Sequence, residues 1–398
     1  MRVEPFSYHR RVAEALENKE KELWQWFSSD SFAEGYRERA QRELSNSSVR
    51  LGPDDNEANA LRYRLAKTAR DALGLSANIA LYKGYEGDGQ PNAGLFYIPG
   101  EITVQFAGRI LELLSEDELL FLLGHEIAHY KLYESDGGRF RTATRLLHWV
   151  CRRENAPAIW FETVRRLSLY TEIYCDTAGY FVAGSRDTAI RSLTKSIADF
   201  QDVNAKTYLQ QAEAILAKET DGSKGLSHPE LFIRAKAIAN RDRLDATAFE
   251  AALVPLIEGP LDIGALDILS QASLRTLTRN LIDSFTQHEV NRTEHVKAQA
   301  QEYFADYAWP GARLRPPPAL PVMTPQTLDY LGYVLLDFAA RDRERDEEAL
   351  AIALVVAKAW GFHKAFRKVA GKELNKKAAE LNGLENVGTQ FVGRAAHA

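Results

Sequence analysis

Apolar positions recur at helical spacing along most of this chain and at strand spacing in one short region. Within residues 1–50, Val12, Leu16, Leu23, Trp24, Trp26 and Phe27 mark apolar faces among charged neighbours and predict helices. Ala60, Leu61, Leu65, Ala69 and Leu73 predict another helix over 57–73. Residues 77–83 (ANIALYK) read as a strand. Residues 84–92 carry three glycines and a proline, which predicts a loop. Two short strands, 95–98 and 102–106, are expected on either side of Pro99-Gly100. Helical patterns dominate from there on. Six prolines interrupt them within residues 309–325 (WPGARLRPPPALPVMTP), where no helix can continue and an extended linker is expected. Residues 326–380 are again strongly helical. The expected class is therefore α+β and mostly helical, with a small sheet. The expected divisions are an N-terminal helical extension (1–57), a core carrying the sheet (58–245), a helical extension packed on it (246–308), the proline-rich linker (309–325) and a C-terminal helical domain (326–398).

Composition narrows the function classes. The 398 residues are 45% hydrophobic and 26% charged, as in ordinary globular proteins, and suffice for a sizeable core. A net charge of −5 with scattered basic residues gives no electrostatic basis for nucleic-acid binding. The opening residues lack the basic start, apolar run and cleavage site of a secretory signal. No integral membrane segment is expected, because the most apolar stretch, 349–360, is too short to span a bilayer and contains Lys358. The expected location is cytoplasmic. Cys151 and Cys175 are the only cysteines, form no CxxC pair and are expected as reduced thiols.

The chemistry concentrates in residues 115–130, SEDELLFLLGHEIAHY. Ser115 with Glu118 forms a capping box, and Asp117 and Glu118 suit the positive end of a helix dipole. Leu119, Leu123, Ile127 and Tyr130 share one face of that helix. Phe121 and Leu122 carry apolar character further around it, so it should be buried on most sides. His125 and His129, four residues apart, project from one side and can grip one metal ion. Glu126 lies about 100° around the helix from His125. It can reach a metal-bound water without being a ligand, which is the HExxH arrangement. Three titratable groups on an apolar helix are costly unless paired or metal-bound. A catalytic zinc needs a third protein ligand and an open position. Glu172 and Asp176, four apart on a helical stretch starting near Pro157, supply a candidate ligand and a candidate hydrogen-bond partner for a ligand histidine. Taken alone, such an acidic pair is usually a solvated helix face. The remaining histidines, His9, His148, His288, His295, His363 and His397, have no partners at ligand spacing and read as surface or ordinary structural residues.

Four segments in order resemble the M48 metallopeptidases, members of the gluzincins. They are Asn92-Ala93 with the strand after Gly100, the HExxH segment, Glu172 to Asp176 in the pattern ExxxD, and Ser227-His228-Pro229 with Arg234. The likeness spans roughly residues 58–240. It implies a zincin-type fold and one catalytic zinc ion held by His125, His129 and Glu172. Glu126 would be the general base, Asp176 would support a ligand, His228 would stabilise the oxyanion, and Arg234 would hold the site together. Ile102, Thr103, Val104, Gln105 and Phe106 would form the edge strand that pairs with an extended peptide or protein substrate. Such pairing aligns a backbone without reading every side chain, so an endopeptidase with broad sequence tolerance is expected. Many family members are embedded in membranes, and no spanning segment is evident here. Cys175 stands where the family often has alanine. Two other classes compete: a latent or inactive zinc-binding regulatory protein, and a different HExxH hydrolase such as an aminopeptidase or deformylase. The segment 329–374 resembles TerB-like helical domains. Its acidic residues Asp342, Asp346 and Glu347 read as a solvated helix start before they read as a cation site, and a protein partner is expected through this module.

Overall fold

The computed structural model describes residues 3–85, 91–219, 221–311 and 317–395. Residues 86–90 of the expected loop and 312–316 of the expected linker lie outside the described residues, as does His397. The chain forms two compact units, Met1–Gly259 and Pro260–Ala398.

The first unit opens with helices α1 (Ser7–Lys19), α2 (Lys21–Phe27) and α3 (Asp30–Ser47), as the amphipathic spacing predicts. A short strand, β1 (Ser48–Leu51), precedes α4 (Glu57–Ala72). Strands β2 (Asn78–Gly84), β3 (Asn92–Leu95) and β4 (Glu101–Ala107) complete one sheet in the order β1-β2-β4-β3. β2 and β4 run parallel, with Asn78 opposite Glu101 and Lys83 opposite Phe106. β3 runs antiparallel to β4, with Asn92 opposite Ala107 and Leu95 opposite Val104.

Two expectations change here. The strand expected at 95–98 lies at Asn92–Leu95, and Ile98 makes only an isolated bridge to Glu101. Tyr97 and Ile98 are buried at the turn closed by Gly100, whose φ is 82°, so the apolar run reports burial and not pairing. More consequentially, Ile102, Thr103, Val104, Gln105 and Phe106 do not form an edge. β4 is paired along both sides, and the free edge beside it belongs to β3.

Helices build the rest of this unit: α5 (Ile110–Leu113), α6 (Glu116–Glu134), α7 (Arg139–Cys151), α8 (Ala158–Ala183), α9 (Arg186–Ala198), α10 (Ala205–Leu216), α11 (Leu231–Arg241) and α12 (Ala246–Ile257). The capping box of α6 is present. The Glu118 N–H donates to Ser115 Oγ at 3.4 Å, and the Ser115 N–H donates to Glu118 Oε2 at 3.0 Å. Lys195 of α9 also donates to Glu118 Oε2, at 2.9 Å, so this cap ties two helices together.

α6 and α8 meet where neither has a side chain. A Cβ on Gly124 would lie 2.9 Å from Val182 Cβ and 3.0 Å from Gly179 Cα. A Cβ on Gly179 would lie 2.7 Å from the Phe121 carbonyl oxygen. Both glycines are required by close approach, and the contact sits beside His125 on one helix and three residues from Asp176 on the other. α8 is held from its far side by α1. Buried His9 accepts the Phe6 N–H at Nδ1 (3.2 Å), which leaves the proton on Nε2 to be donated to Thr171 Oγ1 (3.2 Å). Burial, and then the charge of Arg10, lower the pKa of His9 to about 3.

The second unit contains α13 (Ile268–Thr286), α14 (Glu294–Tyr303), α15 (Pro325–Ala339), α16 (Asp346–Ala359), α17 (His363–Glu373) and α18 (Ala378–Ala395). Leu281, Phe285, Leu335, Phe338, Leu354 and Phe366 share one core, so α13 and α14 belong with the C-terminal helices and not with residues 58–245. The described residues of 309–325 do not separate two domains. The Leu261 N–H donates to the Val322 carbonyl at 2.8 Å and the Thr324 N–H to the Leu261 carbonyl at 3.0 Å, while Trp309 and Leu320 pack on the core. Proline ends a helix, but it does not end packing. Among the described residues no helix is long and apolar enough to cross a membrane.

Candidate metal centre

All seven polar residues singled out on chemical grounds converge in the first unit, where α6, α8, α11 and the loop before α11 meet. His125 and His129 stand one turn apart on α6, with ring centroids 5.2 Å from each other. Glu172 reaches them from α8. Its Oε2 lies 3.5 Å from His125 Nε2, and its Oε1 lies 3.6 Å from His129 Nε2. Zinc bonds of 2.0–2.1 Å in a tetrahedron place neighbouring donors about 3.4 Å apart, close to each of these separations, which involve one Glu172 oxygen apiece. Glu172 Oε2 is buried and has no hydrogen-bond partner, although His228 Nε2 (3.5 Å) and Arg234 Nη2 (3.4 Å) are near it. A buried carboxylate oxygen left in that state is costly, and a cation among these donors relieves it.

Cys175 complicates the donor set. Its Sγ and ligand atoms of His125 and His129 lie within 4.8 Å of one another. The two possible third donors differ in charge. Burial, followed by the Glu172, Glu126 and Asp176 carboxylates, pushes the Cys175 thiol well above its ordinary range, so it stays protonated. Burial also opposes ionisation of Glu172, yet His125 and Arg234 outweigh it and hold this carboxyl well below its usual range. The anionic carboxylate is the better ligand of the two.

The histidines are prepared differently. His125 Nδ1 pairs with Asp176 Oδ1 at 3.0 Å, which directs Nε2 toward Glu172. Burial works against its cation, but Asp176 and Glu172 prevail and raise its pKa to about 10. Burial lowers that of His129 to about 4, against the pull of Glu172. Arg234 of α11 fixes Asp176 with two bonds of 2.7 Å, Nε to Oδ2 and Nη2 to Oδ1. A buried chain therefore runs from Arg234 through Asp176 to His125. Aligning a ligand histidine through a carboxylate is how metal sites fix a ring and its tautomer.

Glu126 and His125 line a cleft of about 1000 Å³ together with Asn92, Ala93, Gln105 and the mostly exposed His228. Burial raises the pKa of Glu126, while the neighbouring His125 and the Leu95 backbone pull it back. Of the five residues expected to bind substrate, only Gln105 lines this cleft, because Ile102, Thr103, Val104 and Phe106 are buried in the sheet. The Phe96 N–H donates to the Thr103 carbonyl at 2.8 Å, and strand periodicity then turns the backbone groups of Ala93 and Leu95 away from β4. Asn92 Oδ1 covers the Ala93 N–H at 2.9 Å. The sequence signal for this edge was Asn92-Ala93 itself.

Residues 56–147 match the model of Peptidase family M48. Over those residues the chain is similar to that family. The likeness supports a metallopeptidase that acts on protein or peptide. The matched segment runs from the start of α4 into α7 and includes His125, Glu126 and His129, whereas Glu172, Asp176, His228 and Arg234 lie beyond it and rest on the geometry above. Comparisons of the chain with curated proteins and with solved structures gave no match. The ligand assignment has a direct check. His129→Ala is expected to abolish stoichiometric zinc, measured by elemental mass spectrometry on the purified protein, and an undiminished metal content would remove His129 from the ligand set.

Proposed function

We propose that this chain is an M48-type zinc-dependent endopeptidase in which His125, His129 and Glu172 hold the ion and Glu126 is the general base. The supporting observation is the convergence of both imidazoles on the buried Glu172 carboxylate, His125 at one oxygen and His129 at the other, with Glu126 facing an open cleft beside them. When bound, zinc brings the pKa of a water toward neutrality. Glu126 takes the proton released as that water attacks the peptide carbonyl, then returns it to the departing amine. His228 reaches over the same space from the cleft wall and donates to the developing oxyanion. Asp176 and Arg234 keep His125 oriented throughout.

The substrate lies extended along the outer side of β3. Ala93 and Leu95 turn their backbone groups that way, so a peptide adds to the sheet as its next strand. Proline at an outward-facing position of an edge strand removes a donor without disturbing the ladder. The Ala93 N–H is covered by Asn92 Oδ1 in the free protein, so a peptide must displace that contact to use it, and Ala93→Pro is expected to raise KM by no more than about tenfold while zinc content stays the same. A KM equal to wild type would exclude β3 as the substrate edge.

A peptide-library digest read by mass spectrometry tests the function itself, with zinc-loaded wild type set against Glu126→Ala. Internal cleavages made by wild type alone establish an endopeptidase. Trimming confined to chain ends would point to an exopeptidase, and silence from both proteins with zinc bound would indicate a protein whose work is binding.

A further inference from the structure

The second unit carries a concentration of positive charge. Residues 358–377 read KAWGFHKAFRKVAGKELNKK, six lysines and one arginine against a single carboxylate, Glu373. The whole chain has a net charge of −5, so this stretch is a basic pole on an otherwise acidic protein. Helix α17 turns Phe366, Val369 and Ala370 into the core, which leaves Lys364, Lys368 and Lys372 exposed on its outer side. Spaced four apart, they stand in a row with steps of about 6 Å. Neighbouring carboxylates answer only part of the charge. Glu385 of α18 is shared by Lys358 (2.8 Å), His363 (2.9 Å) and Arg367 (3.2 Å), three basic groups on one anion. Asp329 of α15 meets Lys368 at 2.5 Å, and Glu373 meets Lys372 at 3.1 Å. Exposed pairs of this kind hold weakly and give way to a competing anion. Lys364, Lys376 and Lys377 make no ion pair among the described residues.

We propose that the lysine row of α17 is a docking face for a short acidic segment of a partner protein. Charge complementarity names the occupant, and the rest of the chain limits its size. A long polyanion or an anionic bilayer extends well beyond a Debye length of about 8–10 Å and meets the acidic remainder of the protein, whereas a short peptide meets the lysines alone. Docking into lipid also needs apolar side chains on the outer face, and α17 keeps its own in the core. Spacing sets the pattern. Same-side residues of an extended chain recur about every 6.6 Å, close to the lysine step, so about five residues with Glu or Asp at alternate positions cover the row. An exposed ion pair contributes at most about fivefold in affinity, so the docking is weak, builds up over the three lysines and falls with salt. It stands independently of the endopeptidase reading, because every group it uses belongs to the second unit.

The test uses the zinc-loaded full chain carrying Glu126→Ala, so that no probe is cut. Fluorescence anisotropy follows a labelled peptide of alternating Glu and Ser, and its Gln-Ser counterpart, at low salt and at about 0.15 M. The acidic peptide is expected to bind at low salt and to weaken as salt rises, while the Gln-Ser peptide stays free. Lys364→Gln combined with Lys372→Gln lowers the affinity for the acidic peptide by about tenfold, and Lys364→Arg combined with Lys372→Arg retains it. Both pairs lie at exposed positions, so an unchanged Tm certifies that the fold is intact. Equal affinity of the glutamine pair and its parent for the acidic peptide overturns the proposal, and so does equal binding of the Gln-Ser peptide. Retention on phosphatidylserine vesicles that the glutamine pair abolishes, with no binding of the acidic peptide, would assign the row to a lipid surface and overturn it as well.

Discussion

Glu126→Ala keeps its zinc and loses about 10²- to 10⁴-fold in kcat, the range that a positioned general base contributes. Retention of metal follows from the proposed ligand set, His125, His129 and Glu172, which leaves Glu126 facing the cleft. Loss of turnover follows because the other carboxylates there are engaged, Glu230 of the cleft wall by Ser223 Oγ and the Lys224 N–H. Glu172 and Asp176 are both held as anions by His125 and Arg234. The same assignment fixes the sign of a pH effect. Burial raises the pKa of Glu126, and the base must be ionised, so wild-type kcat/KM falls on the acid side at a pH above the ordinary carboxylate range. Glu126→Gln, which preserves shape, is expected to be as inactive as the alanine variant. Turnover retained in either variant would assign the proton to another group.

Arg234→Ala carries the largest expected effect on stability. Arg234 is buried, pairs twice with Asp176 and lies 3.4 Å from Glu172 Oε2. Its removal strands two buried carboxylates beside one another, and breaking a buried pair from one side costs about 3–5 kcal/mol. At about 2–4 °C per kcal/mol for a unit of this size, Tm drops by roughly 10 °C. The zinc affinity falls about 10- to 100-fold as well, because Asp176 no longer holds His125 in a single orientation. Arg234→Lys restores the charge but not the paired geometry, so it recovers stability better than affinity. Differential scanning calorimetry with a competitive zinc titration separates the two effects. A Tm within about 2 °C of wild type would show that Asp176 finds its counter-charge elsewhere.

Local chemistry made much of this site legible. Ser115 and Glu118 announce α6 because a capping box is complete within four residues, and the face shared by His125 and His129 follows from helical period alone. Glu172 and Asp176 are likewise neighbours through one turn of α8. What spacing could not supply is the meeting of those helices. It depends on Gly124 and Gly179, two small residues that look unremarkable in a sequence and matter only against each other. Strand pairing departs from the local pattern for a related reason. Residues 102–106 were expected at an edge, although Ile102, Thr103 and Val104 are buried in succession, a pattern that belongs to a strand covered on both faces. Prolines in 309–325 were equated with a boundary, whereas the partner that folds this stretch into the second unit is Leu261, some sixty positions upstream of Met323 and invisible to any local window.

The hydrogen bonds of His9 make the first unit acid-labile. Its Nδ1 accepts an amide proton and its Nε2 donates to Thr171, so the folded ring has no place for a second proton. The unfolded chain does, at a pKa near 6.5, against about 3 in the folded state. Between those values the unfolded form binds the extra proton. Stability is therefore intact above pH 6.5 and drains away below it, at up to about 1.4 kcal/mol per pH unit. His9→Gln, which can satisfy the same amide but does not titrate, should flatten the pH dependence of denaturant midpoints between pH 6.5 and 4; an unchanged slope would place the lability elsewhere. Thr171 immediately precedes Glu172, so the proton that unseats α1 also loosens the helix carrying a metal ligand. In an acidifying compartment, the same fall in pH would therefore weaken the fold beneath the metal site as well as protonate Glu126.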